Sequence, residues 1–404
     1  SALVWFVIVP LLPLATDSFA TILNPAFIGS ISSLSPEEIF STFARHIGIG
    51  GIAMAGIISI IKSWGIIKNA VGLAGKELKG QKVEADVKRT QRDLTMKFIF
   101  FASSIALIIT FLFFLFGVEL NLLHAVIAII VVAIIAFLFT TVAANAIAIV
   151  GSNPVSGMTL MTLILASVIL VSVGLKGTEG MVAAMIIGSV VCTALSMAGG
   201  FITDLKIGYW IGTTPKKQET WKFLGTLVSA VTVGGVIMIL NKTYGFTGEG
   251  ALVAPQANAM AAVIDPLMSG TGAPWLLYGI GALLAIVLTL LKVPALAFSL
   301  GMFIPFELNI PLLIGGAISW YVSSRSKNRA LNSARKERGT LLASGFIAGG
   351  SLMGVVSAAI KFTGVDLYND SWASGNGAQW LAIGMYALLC GYLIWDSKRA
   401  KIDH

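Results

Sequence analysis

The chain has 404 residues, 56% of them hydrophobic and 11% charged, with a mean hydropathy of +0.90 and a formal net charge of +8. Soluble domains carry roughly 25% charged residues, so a water-soluble globular protein is excluded. The basic residues fall between apolar runs, so the positive charge reads as positive-inside topology in a lipid bilayer and not as a nucleic-acid surface.

In chain order, apolar windows predict helices at about 2–16, 38–62, 94–117, 121–150, 157–175, 181–203, 220–241, 275–291, 340–360 and 377–395. The stretch 294–324 is apolar but interrupted by Pro305 and Pro311, with Glu307 and Asn309 between them, and reads as two short segments. Residues 250–272 are Gly-rich, contain Pro255 and Pro266, and suit a re-entrant segment. The expected fold is all-α: a polytopic integral membrane protein with about ten to twelve transmembrane helices, some broken or re-entrant. It is expected to form a single transmembrane domain over 1–404, with one sizeable cytoplasmic loop at 62–97.

Charge placement orients this map. Of the 27 Lys and Arg residues, all but Arg45, Lys176, Lys242 and Lys361 lie in segments that alternation of the helices puts on one side. Parity requires 294–324 to return to the side it left. The expected C-terminus, with Lys398, Arg399 and Lys401, is then cytoplasmic. Cys192 and Cys390 lie in apolar segments and read as small core residues. No metal-ligand spacing, HExxH, GxSxG, Walker or CxxC pattern occurs, so neither a cofactor nor an enzymatic activity is expected.

Polar residues beside long apolar runs are costly unless they bind something or hydrogen-bond within protein. Four blocks have this character. In SNPVSGMT, Asn153 and Ser156 flank Pro154 at a helix start, and Ser156 and Thr159 share a helical face. They suit a solute path entering the membrane at a helix N-terminus, or a helix cap with small-residue packing. In TDLKIGYWIGTTPKKQ, Asp204, Lys206 and Tyr209 suit an interfacial motif in which Asp204 and Lys206 neutralise each other. In APQANAMAAVID, Gln256 and Asn258 suit a segment lining the path, or an ordered outer loop. In GMFIPFELNIPLLIGG, Glu307 sits among apolar neighbours. That suits proton uptake and release, or a hairpin tip at the headgroups. Arg45 and His46 open the helix at 38–62, where they suit a substrate carboxylate or the interface.

These four blocks in this order, together with ARHIGIGGIAMAGIISIIKS from Ala44 and ASGFIAGGSLMGV at Ala343–Val355, resemble the oligopeptide transporter family. The likeness is to its prokaryotic members, related to the yellow-stripe-like carriers of metal chelates. The resemblance implies a secondary active importer of peptides, modified peptides or metal complexes, coupled to protons, with no cofactor. Family members are usually longer, with about sixteen helices in two related halves. The chain resembles their C-terminal two-thirds, so an N-terminal portion of the fold is expected to be absent. Two alternatives stay open: the same fold serving another small solute, sodium-coupled or uncoupled, and a non-transporting assembly subunit. A homo-oligomer is also left open.

Overall fold

The computed structural model describes residues 1–78, 88–118, 121–150, 155–246, 255–269, 273–365, 369–373 and 375–401. Among these the regular structure is helical, without a strand. The principal helices are α1 (Arg45–Lys62), α2 (Trp64–Leu78), α3 (Met96–Phe116), α4 (Leu122–Val150), α5 (Val155–Ser172), α6 (Gly177–Ile211) and α7 (Pro215–Tyr244). They continue with α8 (Pro255–Met268), α9 (Trp275–Leu290), α10 (Ala295–Phe303), α11 (Phe306–Ser324), α12 (Arg329–Phe362) and α13 (Asn376–Lys398). Among the described residues seven helices are long and apolar enough to cross a membrane, and Val4–Leu14, Gly157–Ser172 and Trp275–Leu290 are shorter apolar helices. The protein is therefore an all-α polytopic membrane protein.

The chain divides into two compact units. The first comprises Ser1–Leu224 and Pro255–Pro305, the second Gly225–Ala254 and Phe306–His404. The first unit is built around α1, which extends back to Pro36 through one π-turn at Phe40–Ala44. Lipid tails are as apolar as leucine, so close packing and not water exclusion holds such helices together. Glycines make that packing possible here. A Cβ at Gly48 would lie 2.8 Å from the Phe303 backbone N on α10. One at Gly281 of α9 would overlap the Ile47 carbonyl oxygen and lie 2.7 Å from Gly51 N. On the other side, α4, α5 and α6 share a core that includes Val131, Ile135, Phe139, Met161, Leu163, Ile187 and Val191. α8 packs on α5 and α6, with Val263, Ile264, Leu267 and Met268 buried.

In the second unit the polar ends of three helices are tied together. Arg338 of α12 donates from Nε and Nη2 to the two carboxylate oxygens of Asp396 on α13, at 2.9 and 2.8 Å. Lys398 Nζ donates to Tyr321 Oη of α11 at 3.1 Å, and Arg325 stacks on the same ring at 4.4 Å. Elsewhere α11, α12 and α13 expose their large apolar side chains, such as Leu313, Leu352 and Trp380. Such a surface suits lipid, not water.

The structure revises several boundaries read from the sequence. Val4–Leu14 is a chain of π, α and 3-10 turns because Pro10 and Pro13 interrupt the ladder. α6 continues to Ile211, and α12 starts at Arg329, where the Asn328 side chain accepts from Ala330 N at 3.0 Å. Hydropathy registers only the apolar part of a helix, so its charged ends read as loops. The 294–324 stretch does break in two, at Pro305, but Pro311 lies inside α11. Residues 255–268 form one short helix. At 1.5 Å per residue α8 is about 21 Å long, short of a hydrocarbon core of about 30 Å. The flanking residues 250–254 and 270–272 of the proposed re-entrant stretch lie outside the described residues. In the 62–97 loop, Trp64–Leu78 is helical, 79–87 lie outside the described residues, and the far end is held in place and not freely solvated. Arg89 Nη2 donates to the Gly212 carbonyl at 2.8 Å, and Leu94 N donates to Glu219 at 2.7 Å. Cys192 and Cys390 are free and only half-buried.

Candidate functional site

Two adjoining hollows lie in the first unit. A partly open cavity of about 130 Å³ is lined by Gly56, Ser59, Ile60 and Ser63 of the α1 end, by Phe139, Val142, Asn145 and Ala146 of α4, by Gly157, Met158 and Met161 of α5, and by Leu296 of α10. A more open cleft of about 470 Å³ is lined by Ala55, Ile58, Ser59 and Lys62 of α1, by Thr289, and by 292–296. Ser59 and Leu296 border both.

The chain builds these hollows from local features. Ala55, Ser59 and Lys62 share one face of α1, and Gly56, Ile60 and Ser63 share the next. Gly56 is needed where Met161 Sδ presses on α1. At Gly157 a Cβ would lie 2.6 Å from Leu296 Cδ1, so the absence of a side chain lets Leu296 rest there. α9 ends with Lys292 at φ 60°, the one non-glycine positive φ among the described residues. Val293 N then donates to Leu288 O at 2.9 Å and Lys292 N to Thr289 O at 3.1 Å. This is a Schellman stop in which lysine takes the place usually held by glycine. Pro294 follows, and α10 begins at Ala295.

The residues singled out from the sequence are placed as follows. The SNPVSGMT block supplies Gly157 and Met158 to the cavity. Thr159 is buried on α5 but lines neither hollow, and Thr162 donates to the Met158 carbonyl at 2.9 Å. Asn153 and the side chains of Ser156, Gln256 and Asn258 lie outside the described residues. Glu307 stands in the first turn of α11 in the second unit. It is exposed beside the equally exposed Leu308 and Ile310, not enclosed by apolar side chains. Asp204 pairs with Lys222, not Lys206, because α6 continues and carries Lys206 away from it. Lys206 instead lies over the rings of Tyr209 and Trp210, 6.0 and 5.4 Å from their centroids. Arg45 stacks on Phe40 and Phe303. His46 is 6% exposed, meets Tyr278 edge-on at 5.7 Å, and its Nδ1 has no hydrogen-bond partner. Among the described residues no three His, Cys, Asp or Glu side chains converge in a way that could hold a metal.

Sequence reading missed Ser59, Ser63, Asn145, Lys62 and Lys292 as site residues. Asn145 was discoverable, as the lone amide in the apolar run TTVAANAIAIV. In sequence, Lys62 and Lys292 read as positive-inside charges and carry no separate signal of a site.

A partly polar hollow beside an interruption at Pro294, within a polytopic helical bundle, is an arrangement that membrane transporters use. Residues 1–361 match the family described as OPT oligopeptide transporter protein, and the chain belongs to that family. It is also 27% identical to a protein of Haemophilus influenzae that bears the name of an oligopeptide transporter, over 99% of this chain and 69% of that protein. No solved structure matches it.

Proposed function

We propose that this chain acts as a single transmembrane transporter domain in the prokaryotic inner membrane. It would import oligopeptides, modified peptides or metal chelates by secondary active, proton-coupled transport, with the C-terminus cytoplasmic. The observation that carries the reading is a largely apolar cavity with Ser59, Ser63 and Asn145 on its wall, beside an open cleft, within a chain of this family. Asn153, Ser156, Thr159, Gln256 and Asn258 are proposed to line the path, and Asp204, Lys206 and Tyr209 to anchor α6 at the interface. Glu307 is proposed to carry the coupling proton; its position in the first turn of a helix entering the apolar stretch after Pro305 supports that role.

The test is uptake into proteoliposomes with and without a proton ionophore. Glu307→Gln fixes the neutral form with little change of shape. It is expected to abolish proton-driven accumulation and to leave substrate exchange intact, since exchange moves no net proton. Accumulation against a gradient by Glu307→Gln at the parent level, with the same pH dependence, refutes the role. Accumulation that ignores the ionophore but follows sodium refutes proton coupling altogether.

A further inference from the structure

From the cleft and the cavity beside it, we infer one bipartite binding site for a solute that ends in a carboxylate, with the carboxylate held between Lys62 and Lys292 and Leu296 as the partition. The ligand class rests on the transporter reading above; the site itself does not.

Three observations converge. The first is charge. The residues lining the cleft include two cations, Lys62 and Lys292, and no acid. The same walls carry apolar Ala55, Ile58, Val293 and Leu296, and both lysines stand exposed at the open side of the cleft. The second is backbone conformation. Lys292 holds a left-handed φ of 60°, which glycine or asparagine would adopt at lower cost. A conformation that disfavours lysine there, on the rim of a hollow, points to a use for its ammonium group. The third is volume. The partly open cavity of about 130 Å³ is too small for a peptide. Joined to the cleft it gives roughly 600 Å³, within the usual range for small-ligand pockets. Only Ser59 and Leu296 border both hollows, and the Leu296 side chain rests on Gly157. A change of Leu296 rotamer away from Gly157 therefore opens one space into the other. Asn145, Ser59 and Ser63 then offer amide and hydroxyl groups to the peptide bonds of a solute whose carboxylate faces the lysines. A positive-inside lysine needs neither a left-handed backbone nor an adjoining cavity.

The test measures cysteine reactivity in purified protein with Cys192→Ser and Cys390→Ser, held in nanodiscs of neutral phosphatidylcholine. Ser59→Cys is exposed in turn to the anionic sulfonatoethyl and the cationic trimethylammonioethyl methanethiosulfonates. Their rates are normalised to a small free thiol. The anionic reagent is expected to react about tenfold faster. The preference should vanish in Lys62→Gln combined with Lys292→Gly, and glycine suits the left-handed position, so misfolding is not the explanation. Millimolar trialanine should slow the labelling, and its C-terminal amide should not. Leu296→Ala should raise the labelling rate of Asn145→Cys several-fold. Equal rates with the two reagents, or equal protection by the amide, overturns the inference. So does blockage by phosphatidylglycerol nanodiscs without protection by trialanine, which would make the cleft a lipid headgroup site. A charge preference with carboxylate-dependent protection, in a protein that shows no proton-driven uptake, leaves this site standing and removes the coupling proposal.

Discussion

Gly281→Ala should destabilise the first unit, while Gly279→Ala on the same helix should not. In α9 the Cβ added at Gly281 overlaps the Ile47 carbonyl oxygen and comes within 2.9 Å of the Ile47 carbonyl carbon, both backbone atoms of α1. A backbone cannot rotate away as a side chain can, so α1 and α9 must separate. Overpacking of this kind costs about 1–3 kcal/mol, and the forced contact is with main chain, which places it at the upper end. Against it stands the better helix propensity of alanine, about 1 kcal/mol. The net expectation for Gly281→Ala is a loss of about 2 kcal/mol. At Gly279 a new Cβ meets nothing within 4 Å, so only the propensity gain remains. Thermal unfolding followed by fluorescence-detected size exclusion in mild detergent reads both. Taking about 2–4 °C per kcal/mol for a unit of this size, Gly281→Ala should lower the midpoint by roughly 4–8 °C. Gly279→Ala should raise it slightly or leave it unchanged. Equal midpoints for the two variants would show that α1 and α9 do not approach each other as described.

Gly212→Ala should cost about 1–2 kcal/mol, because φ is 74° at the end of α6 and Thr213 N depends on that turn to reach Gly208 O at 2.8 Å. The same thermal assay checks it, and an unchanged midpoint counts against the turn. A cysteine at Ser326 should resist an impermeant thiol reagent in intact cells and react after permeabilisation. Labelling from outside overturns the assignment of the basic face to the cytoplasm. Asn153→Ala should lose uptake while reaching the membrane in normal amount. Unchanged uptake per folded molecule, with stability lower by about 1 kcal/mol, would make Asn153 a helix cap only.

The sequence by itself determined the class of fold. Helices in a bilayer must satisfy their backbones internally, so uninterrupted apolar length translates directly into spans, and proline marks the breaks. This is why α4, α13 and the division at Pro305 were legible. Composition also exposed the blocks by which the family can be recognised. Helix ends were less legible, because the charged turns of α6 and α12 are held by a cap or by continued helix, neither of which hydropathy measures. The site was decided by tertiary structure. In GMFIPFELNIPLLIGG the sequence leaves Glu307 open between an apolar enclosure and a hairpin tip, because residues adjacent in sequence point around the whole circumference of a helix; Leu308, Ile310 and Leu312 face outward with it, while Phe303 is buried. The two adjoining hollows, one lined by Asn145 and Gly157 and the other by Lys62 and Lys292, draw on four segments of the chain. Their convergence depends on how closely the glycines let the α1, α9 and α10 backbones approach, and on Leu296 resting on Gly157. Those are distances between helices, and a linear pattern encodes which residues can come that close without saying which partner they meet.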